Sequence, residues 1–290
     1  MPDEPVRSEK GMSLAERLVN RLGQKVPQLD QASKAAAAPT AEAVTPAVPP
    51  PPRPAIEIDF DRLRTAGFIT PNAPASRQLE SFRIIKRQLL KLAFQKTPDG
   101  AATNNHVIMV TSSVPGEGKT FTALNLAISL SAERDLFVLL IDADSNRRSL
   151  GKLLDMDQEV GLVDLLAGGD LKIHDIIHRT NLPNLSFMPA GRPHPLGPEL
   201  LSSKQMVGLM RDIGARYADR VIIIDTSPVL ATTEGLVLSS YVGQTLVVVE
   251  KDVTTKKDLQ RTLKFLQECP NVSCILNKIT IDFDQHEYGY

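Results

Sequence analysis

The stretch His106–Thr120, HVIMVTSSVPGEGKT, decides the fold of this chain. It opens with an apolar run, Val107 to Val110, which predicts a buried strand, and then enters a loop of Ser, Pro and Gly that ends at Gly118-Lys119-Thr120. A helix-compatible segment, Phe121 to Leu130, follows at once. Strand, glycine-rich loop and helix in this order form a phosphate cradle, because glycines let backbone N–H groups approach the phosphates and the helix N-terminus faces the negative charge.

The last two residues of the loop add side-chain chemistry to this cradle. A lysine at position 119 reaches the β- and γ-phosphates, and the hydroxyl of Thr120 can bind Mg²⁺. The pattern G-x-x-x-x-G-K-[ST] calls for glycine at its first position, where this chain has Ser113. A surface turn before an ordinary helix is the alternative, but the full strand–loop–helix context favours a site for a nucleoside triphosphate.

The composition and charge of the chain limit the classes of protein to which it can belong. The net charge is -1 and the pI is near 6.5, which argues against a general basic face for nucleic acid. Cys269 and Cys274 lack a metal-ligand or redox spacing, so we expect them to behave as small apolar residues in a reducing compartment. No apolar run approaches the ~20 residues of a membrane span, and the first residues lack a signal-peptide core. We expect a soluble, cytoplasmic protein whose membrane role, if it has one, depends on a partner or a surface helix.

The first 55 residues are expected to be a separate region. Residues 13–23, SLAERLVNRLG, open with a capping box and repeat Leu14, Leu18 and Leu22 on one face. This short helix is either a fraying tail or a docking helix that forms on a partner. Residues 31–54 are rich in Ala and Pro and predict a disordered, semi-stiff linker.

The rest of the chain alternates strands with helices, which predicts an α/β fold with a doubly wound, mostly parallel sheet. Ile56 to Pro71 is expected to form a short strand or arm, and Gly191 to Pro198 a loop. The predicted strands are 107–110, 136–141, 185–189, 221–224, 245–250 and 273–276. The predicted helices are 76–95, 121–130, 150–154, 162–166, 203–217, 232–240 and 254–267.

Acidic residues follow two of the buried strands. Asp142 and Asp144 end the strand 136–141, and Asp225 follows Val221 to Ile224. Ligands of open α/β sheets bind at the carboxyl ends of the strands. Asp225 therefore fits a carboxylate that holds Mg²⁺ through water. Asp residues at strand ends can instead start turns and cap helices, and that alternative is strongest for Asp142 and Asp144.

Three segments in order, SSVPGEGKT, FVLLIDAD and VIIIDTSP, resemble the Walker A, Walker A′ and Walker B motifs of bacterial tyrosine kinases, which share the MinD/ParA-like P-loop fold. The flanking sequence is similar to cytoplasmic tyrosine autokinases associated with exopolysaccharide export and exosortase gene clusters. This similarity includes ESFRIIKRQLL, ATTEG and TLVVVEKDVTTKKDL. It covers about residues 56 to 290, which we take as a kinase domain over 56–280 and a flexible tail over 281–290.

The resemblance implies a role for each matching position. Lys119 would bind and polarise the β- and γ-phosphates, and Asp142 would help to activate the attacking tyrosine hydroxyl. Asp144 would join this catalytic set and, with Thr120 and Asp225, serve the metal. The implied cofactors are ATP and Mg²⁺, and the residues expected at the nucleotide are Pro115, Gly116, Glu117, Gly118, Lys119, Thr120, Phe121 and Asn277. Asn146 stands where the family often has an arginine.

The resemblance also implies an acceptor and partners. Family members phosphorylate their own C-terminal tyrosines, which here are Tyr288 and Tyr290 in the tail IDFDQHEYGY. Glu80, Arg83 and Lys86 match a Glu-x-x-Arg-x-x-Arg helix that assembles rings, with lysine in the last position. The implied partner is a membrane-bound chain-length-determinant protein, a polysaccharide co-polymerase, and the chain would act at the inner membrane only through it.

Two other functions stay open at this stage. A MinD/ParA-type ATPase switch usually carries a lysine early in its loop, where this chain has Val114 followed by Pro115. A nucleotide-binding scaffold without phosphate transfer is compatible with the short tyrosine tail and with Asn146. The leading hypothesis is an ATP-dependent protein-tyrosine autokinase that regulates polysaccharide polymerisation or export.

Overall fold

The computed structural model of the chain describes residues 55–95 and 104–279. The helix expected at residues 13–23, the linker and the tail tyrosines lie outside these residues. No helix in the described part of the chain is long and apolar enough to cross a membrane.

A seven-stranded sheet forms the centre of the fold. Its strands, in chain order, are β1 (Val107–Ser112), β2 (Phe137–Ala143), β3 (His178–Arg179), β4 (Leu185–Met188), β5 (Arg220–Thr226), β6 (Gln244–Glu250) and β7 (Val272–Asn277). Across the sheet they follow the order β3-β4-β2-β5-β1-β6-β7. Every pairing is parallel except that of the short edge strand β3 with β4. The doubly wound, mostly parallel sheet predicted from the sequence is confirmed.

Helices cover the sheet. They are α1 (Phe60–Thr65), α2 (Arg77–Ala93), α3 (Lys119–Ser131), α4 (Ser149–Leu153), α5 (Leu162–Leu166), α6 (Gly197–Leu201), α7 (Lys204–Arg216), α8 (Glu234–Ser239) and α9 (Lys256–Phe265). A single 3₁₀ turn, Ile173–Asp175, lies between α5 and β3.

The central strands are apolar on both faces because helices cover both faces of the sheet. In β1, Ile108 and Val110 belong to the core that includes α2 and α3, whereas Met109 belongs to the core on the other face, with Met206 and Met210 of α7. Strands β2 and β5 divide their residues between the two cores in the same alternating way. The continuous apolar runs in the sequence are therefore two interleaved core faces.

The strand order places the phosphate loop at the point where the connections change direction. From β1 the chain passes over β5 to reach β2, and from β5 it passes over β1 to reach β6. A crevice outside the carboxyl ends of the strands opens at such a switch point. The loop after β1 and the acidic ends of β2 and β5 meet at this switch point.

Two local expectations were wrong. Ile56 to Pro71 contains helix α1, because Asp59 caps its N-terminus by accepting hydrogen bonds from the backbone N–H groups of Asp61 and Arg62. Only Ile56 makes a strand-like bridge, to Thr180. The segment 191–198 is not wholly a loop, since helix α6 begins at Gly197 with a proline in its first turn, where a missing N–H costs nothing.

The two cysteines differ in environment. Cys269 is buried in the core, as expected of a small apolar residue. Cys274 is exposed on the edge strand β7, so that expectation was wrong for it. Both thiols are free.

Two glycines provide a matched test of this packing. A Cβ on Gly243 would overlap the backbone of Asn104 and Asn105, whereas one on Gly208, inside helix α7, would meet nothing within 4 Å. We predict that Gly243→Ala lowers the free energy of unfolding by about 1–3 kcal/mol, because backbone must move. Gly208→Ala should raise it by about 0.5–1 kcal/mol, because alanine loses less entropy in a helix. Urea unfolding of both variants checks this, and equal effects would contradict the close approach at Gly243.

Candidate active site

The phosphate loop adopts a conformation that needs its glycines. Gly116 and Gly118 both have φ near +96°, in the left-handed region that residues with a Cβ rarely adopt. Gly118 is also the N-cap of helix α3, so the loop delivers Lys119 and Thr120 to the first turn of that helix. The backbone therefore forms the anion-binding shape that the sequence predicts.

Glu117 holds the loop from inside. Its carboxylate is fully buried, and it accepts hydrogen bonds from the backbone N–H of Val114, at 2.8 Å, and from the hydroxyl of Thr254. Thr254 lies just after β6 and also accepts the backbone N–H of Glu250, at 2.8 Å. The side chain of Glu117 thus points into the protein and joins the loop to the end of β6.

The end of β7 braces the same loop. Asn277 donates from Nδ2 to the carbonyl of Glu117 at 2.9 Å, and Lys278 donates to the carbonyl of Gly116 at 2.9 Å. Lys278 is in turn paired with Glu250 at 2.9 Å. Asn277 lies where a Cβ on Gly118 would be, so that glycine also permits a close approach. Three strand ends are therefore linked around the phosphate cradle.

Lys119 faces a cluster of three buried carboxylates. Its Nζ lies 3.2 Å from Oδ2 of Asp144, and both side chains are almost completely buried. Asp142 and Asp225 occupy paired positions on the neighbouring strands β2 and β5, and both are fully buried. One ammonium group thus faces three acidic groups, and a divalent cation would balance the charge that remains.

Burial raises the pKa of two of these carboxyl groups. The pKa of Asp142 rises from 3.8 to about 7, although the backbone N–H groups of Gly151 and Asp144 oppose the rise by hydrogen bonding to it. The pKa of Asp225 rises to about 8, again through loss of solvation, and Lys119 opposes that rise. Neither oxygen of Asp225 has a hydrogen bond of ordinary geometry among the described residues, although the Thr120 hydroxyl is close enough to lower its pKa. Oxygen ligands of this kind suit Mg²⁺.

The other predicted nucleotide residues line the loop. Pro115 and Gly116 are exposed at its tip, and Thr120 is half-buried at the start of α3. Phe121 packs its ring against that of Phe68, with ring centroids 4.8 Å apart. The ring of Phe121 is therefore engaged in packing within the fold.

The residues predicted to mediate assembly differ in their exposure to solvent. Glu80 and Arg83 form an exposed pair at 3.2 Å on helix α2. Lys86 is mostly buried, 2.7 Å from Glu133 and 3.1 Å from the carbonyl of Ser129 at the end of α3. Lys86 is thus already paired within its own chain.

Sequence reasoning missed several residues of the site: Thr254, Lys278, Ser145 and Glu234. Ser145 donates a hydrogen bond to the buried carboxylate of Glu234 at 3.2 Å, beside Asp144. The segment TTEG was noticed only for its similarity to a family. A charged residue inside a predicted helix, such as Glu234, carries no signal of burial in the sequence, so only the fold reveals its contact with Ser145.

The chain is similar in sequence to known proteins. A family model described as AAA domain matches residues 105–278, more than half of the chain. The tyrosine-protein kinase ptk of Acinetobacter johnsonii is 36% identical over 168 residues, which are 58% of this chain and 22% of that protein. The tyrosine-protein kinase wzc of Salmonella typhimurium is 30% identical over 237 residues, 79% of this chain and 31% of that protein. The chain thus spans less than a third of these curated relatives.

A solved structure supports the same relationship. The kinase domain of the Escherichia coli tyrosine kinase ETK superposes with a TM-score of 0.62 and 28% identity, covering 78% of this chain and 88% of that domain. The resemblance to bacterial tyrosine kinases expected from the motifs is confirmed in sequence and in fold.

The raised pKa of Asp225 predicts how stability depends on pH. Between pH 3.8 and about 8 the folded protein keeps a proton that the unfolded chain has lost, so this group makes the free energy of unfolding fall as pH rises. Asp225→Asn removes the ionisable group. Without added metal, we predict that the variant gains at least about 1 kcal/mol over the natural protein between pH 5 and pH 8.

Urea unfolding at both pH values provides the measurement. Asp212→Asn, at an exposed pair with Arg216 on α7, is the control whose difference from the natural protein should change little. A constant difference for Asp225→Asn across the two pH values would show that burial does not perturb Asp225.

Proposed function

Because this chain belongs to the AAA-domain family of P-loop proteins, we propose that it is an ATP-dependent protein-tyrosine kinase. The observation that carries the proposal is the convergence of Lys119 with Asp142, Asp144 and Asp225 beside a phosphate loop. Phosphoryl transfer requires charge neutralisation and an aligned acceptor more than covalent chemistry, and this cluster can supply both. The similarity to tyrosine-kinase domains supports tyrosine as the acceptor.

Each residue of the cluster takes a distinct role in the proposed reaction. The loop backbone binds the phosphates of ATP, and Lys119 leaves Asp144 to contact the β- and γ-phosphates. Thr120, Asp144 and Asp225 would hold Mg²⁺, which neutralises phosphate charge when it is bound. Asp142 accepts the proton of the tyrosine hydroxyl, and its pKa of about 7 suits a general base at neutral pH.

We propose Tyr288 and Tyr290 as the acceptors. The other tyrosines of the chain, Tyr217 and Tyr241, are half-buried, and their rings lie under the guanidinium groups of Arg220 and Arg211 at 4.3 and 5.3 Å. The side chains of Tyr217 and Tyr241 are therefore held in place by packing within the fold. The tail also carries Asp282, Asp284 and Glu287, which keep it polar.

We propose that the reaction regulates exopolysaccharide synthesis or export and takes place between copies of this chain in a ring. The exposed pair of Glu80 and Arg83 would form the contact between copies. A membrane-bound chain-length-determinant protein would be the activating partner and would bring the chain to the inner membrane. A MinD/ParA-type switch or a scaffold remains the alternative function, and it differs in leaving the tail unmodified.

Lys119→Met tests the kinase. Incubation of the natural protein with Mg²⁺ and ATP should add one or two phosphates to Tyr288 or Tyr290, because Lys119 neutralises charge on the transferred group. We predict that Lys119→Met lowers this rate by at least about 100-fold. Intact-mass measurement and peptide mapping read the result. Tyr288→Phe combined with Tyr290→Phe is the matched control, which should bind nucleotide normally and gain no mass; a gain of phosphate elsewhere would exclude the tail as acceptor.

Arg83 and Lys86 should behave differently in assembly. Arg83→Ala removes an exposed cation, so we predict a smaller assembled mass in solution with an unchanged melting temperature. Lys86→Ala removes a mostly buried ammonium group together with its ion pair to Glu133 and its hydrogen bond to the carbonyl of Ser129, so it should lower the melting temperature by several degrees. Light scattering and thermal unfolding measure the two effects, and an unchanged mass for Arg83→Ala would argue against this face as the contact.

A further inference from the structure

Glu234 is a buried carboxylate that the proposed reaction does not use. It is the first residue of helix α8, which follows β5, and its side chain is fully buried. Its Oε1 accepts a hydrogen bond from Oγ of Ser145 at 3.2 Å, and its Oε2 has no hydrogen-bond partner among the described residues. Burying a carboxylate is costly, so its presence beside the catalytic segments calls for a physical reason.

The sheet does not fix the whole catalytic cluster. The ladder between β2 and β5 pairs Asp142 with Asp225 and ends one step later, at Ala143 and Thr226. Asp144 therefore lies one residue beyond the last ladder pair. Its position relative to β5 must be set by contacts outside the sheet.

Apart from its ion pair with Lys119 on helix α3, Asp144 makes its hydrogen bonds within its own segment. Its backbone N–H donates to Asp142 at 3.1 Å, and its Oδ1 accepts the backbone N–H of Arg147 at 3.0 Å. These bonds shape the turn after β2 without joining it to β5. The bond between Ser145 and Glu234 joins the two segments directly, because Ser145 follows Asp144 and Glu234 follows β5.

The side chain of Ser145 is also confined on a second side. A Cβ on Gly197, at the start of α6, would come within 3.2 Å of both Cβ and Oγ of Ser145. A larger residue at Gly197 would press on Ser145, so Gly197 lets helix α6 lie close to this side chain. Ser145 is thus held between helix α6 and Glu234.

We propose that Glu234 is a positioning residue that holds Ser145, and through it Asp144, at the separation from Asp225 required for phosphoryl transfer. The inference rests on the proposed function. The phosphate loop is held by other residues, chiefly Glu117 and Asn277. Loss of the Ser145–Glu234 bond should therefore slow the chemical step and leave the affinity for ATP nearly unchanged, because a small misplacement of a catalytic group is costly.

Four variants test this role: Ser145→Ala, Glu234→Met, their double mutant and Glu234→Gln. We predict that each of the first two lowers kcat for tyrosine phosphorylation by about 10-fold, with KM for ATP changed less than about twofold. The double mutant should be no slower than the slower single variant, because both remove the same contact. Glu234→Gln keeps an oxygen that can accept the Ser145 hydroxyl, so it should retain at least about a third of the natural kcat.

The chain provides a matched control. Ser240 donates to Glu268 at 3.0 Å on the exposed surface, which is the same pair of chemical groups away from the catalytic segments. Glu268→Met should leave kcat and KM unchanged. A natural kcat in Ser145→Ala, losses that multiply in the double mutant, or a loss that appears in KM alone would each overturn the positioning role.

Two further readouts keep the test decisive. If Glu234→Met does not fold, the test rests on the kcat of Ser145→Ala, because that variant lacks only one hydroxyl group and should fold. If the natural protein phosphorylates no tyrosine, the proposed function fails independently. The same variants are then compared by their rate of ATP hydrolysis, which depends on the same carboxylates, and a natural rate in Ser145→Ala would overturn the inference.

Discussion

The structure depends on bringing three carboxylates, at or just beyond the ends of buried strands, close to a lysine in the first turn of helix α3. Asp142 and Asp225 are paired across β2 and β5, and Asp144 lies 3.2 Å from Lys119. Removing such groups from water disfavours their charged forms, which is why the pKa values of Asp142 and Asp225 rise to about 7 and 8. An arrangement this costly for folding is typical of a site built to receive further positive charge and a phosphate.

The rest of the fold can be understood as the means of holding this cluster. Two cores, one on each face of the sheet, make the central strands rigid. The phosphate loop is then fixed from two sides: Glu117 reaches the segment after β6, and Asn277 and Lys278 reach it from the end of β7. Because these contacts join different strand ends, a ligand bound at the phosphate loop would meet a preorganised surface.

Much of this arrangement could be predicted from the sequence because short local stretches of residues determine it. The apolar runs before Asp142 and Asp225 identify buried parallel strands, and the glycines at 116 and 118 identify the loop. The contacts of Glu117 with Thr254 and of Ser145 with Glu234 could not be predicted, since they join residues 137 and 89 positions apart. Helix α1 was missed because Asp59 caps it in a stretch that is too short for a helical period to be visible.

We propose that this cluster transfers a phosphoryl group to tyrosine with Asp142 as the base. The most direct measurement follows γ-labelled ATP in a single turnover of the natural protein and of Asp142→Asn. We predict that the label moves to tail tyrosine in the natural protein and stays in bound ATP in the variant. Label released from the natural protein only as inorganic phosphate, or equal tyrosine labelling in the variant, would contradict it.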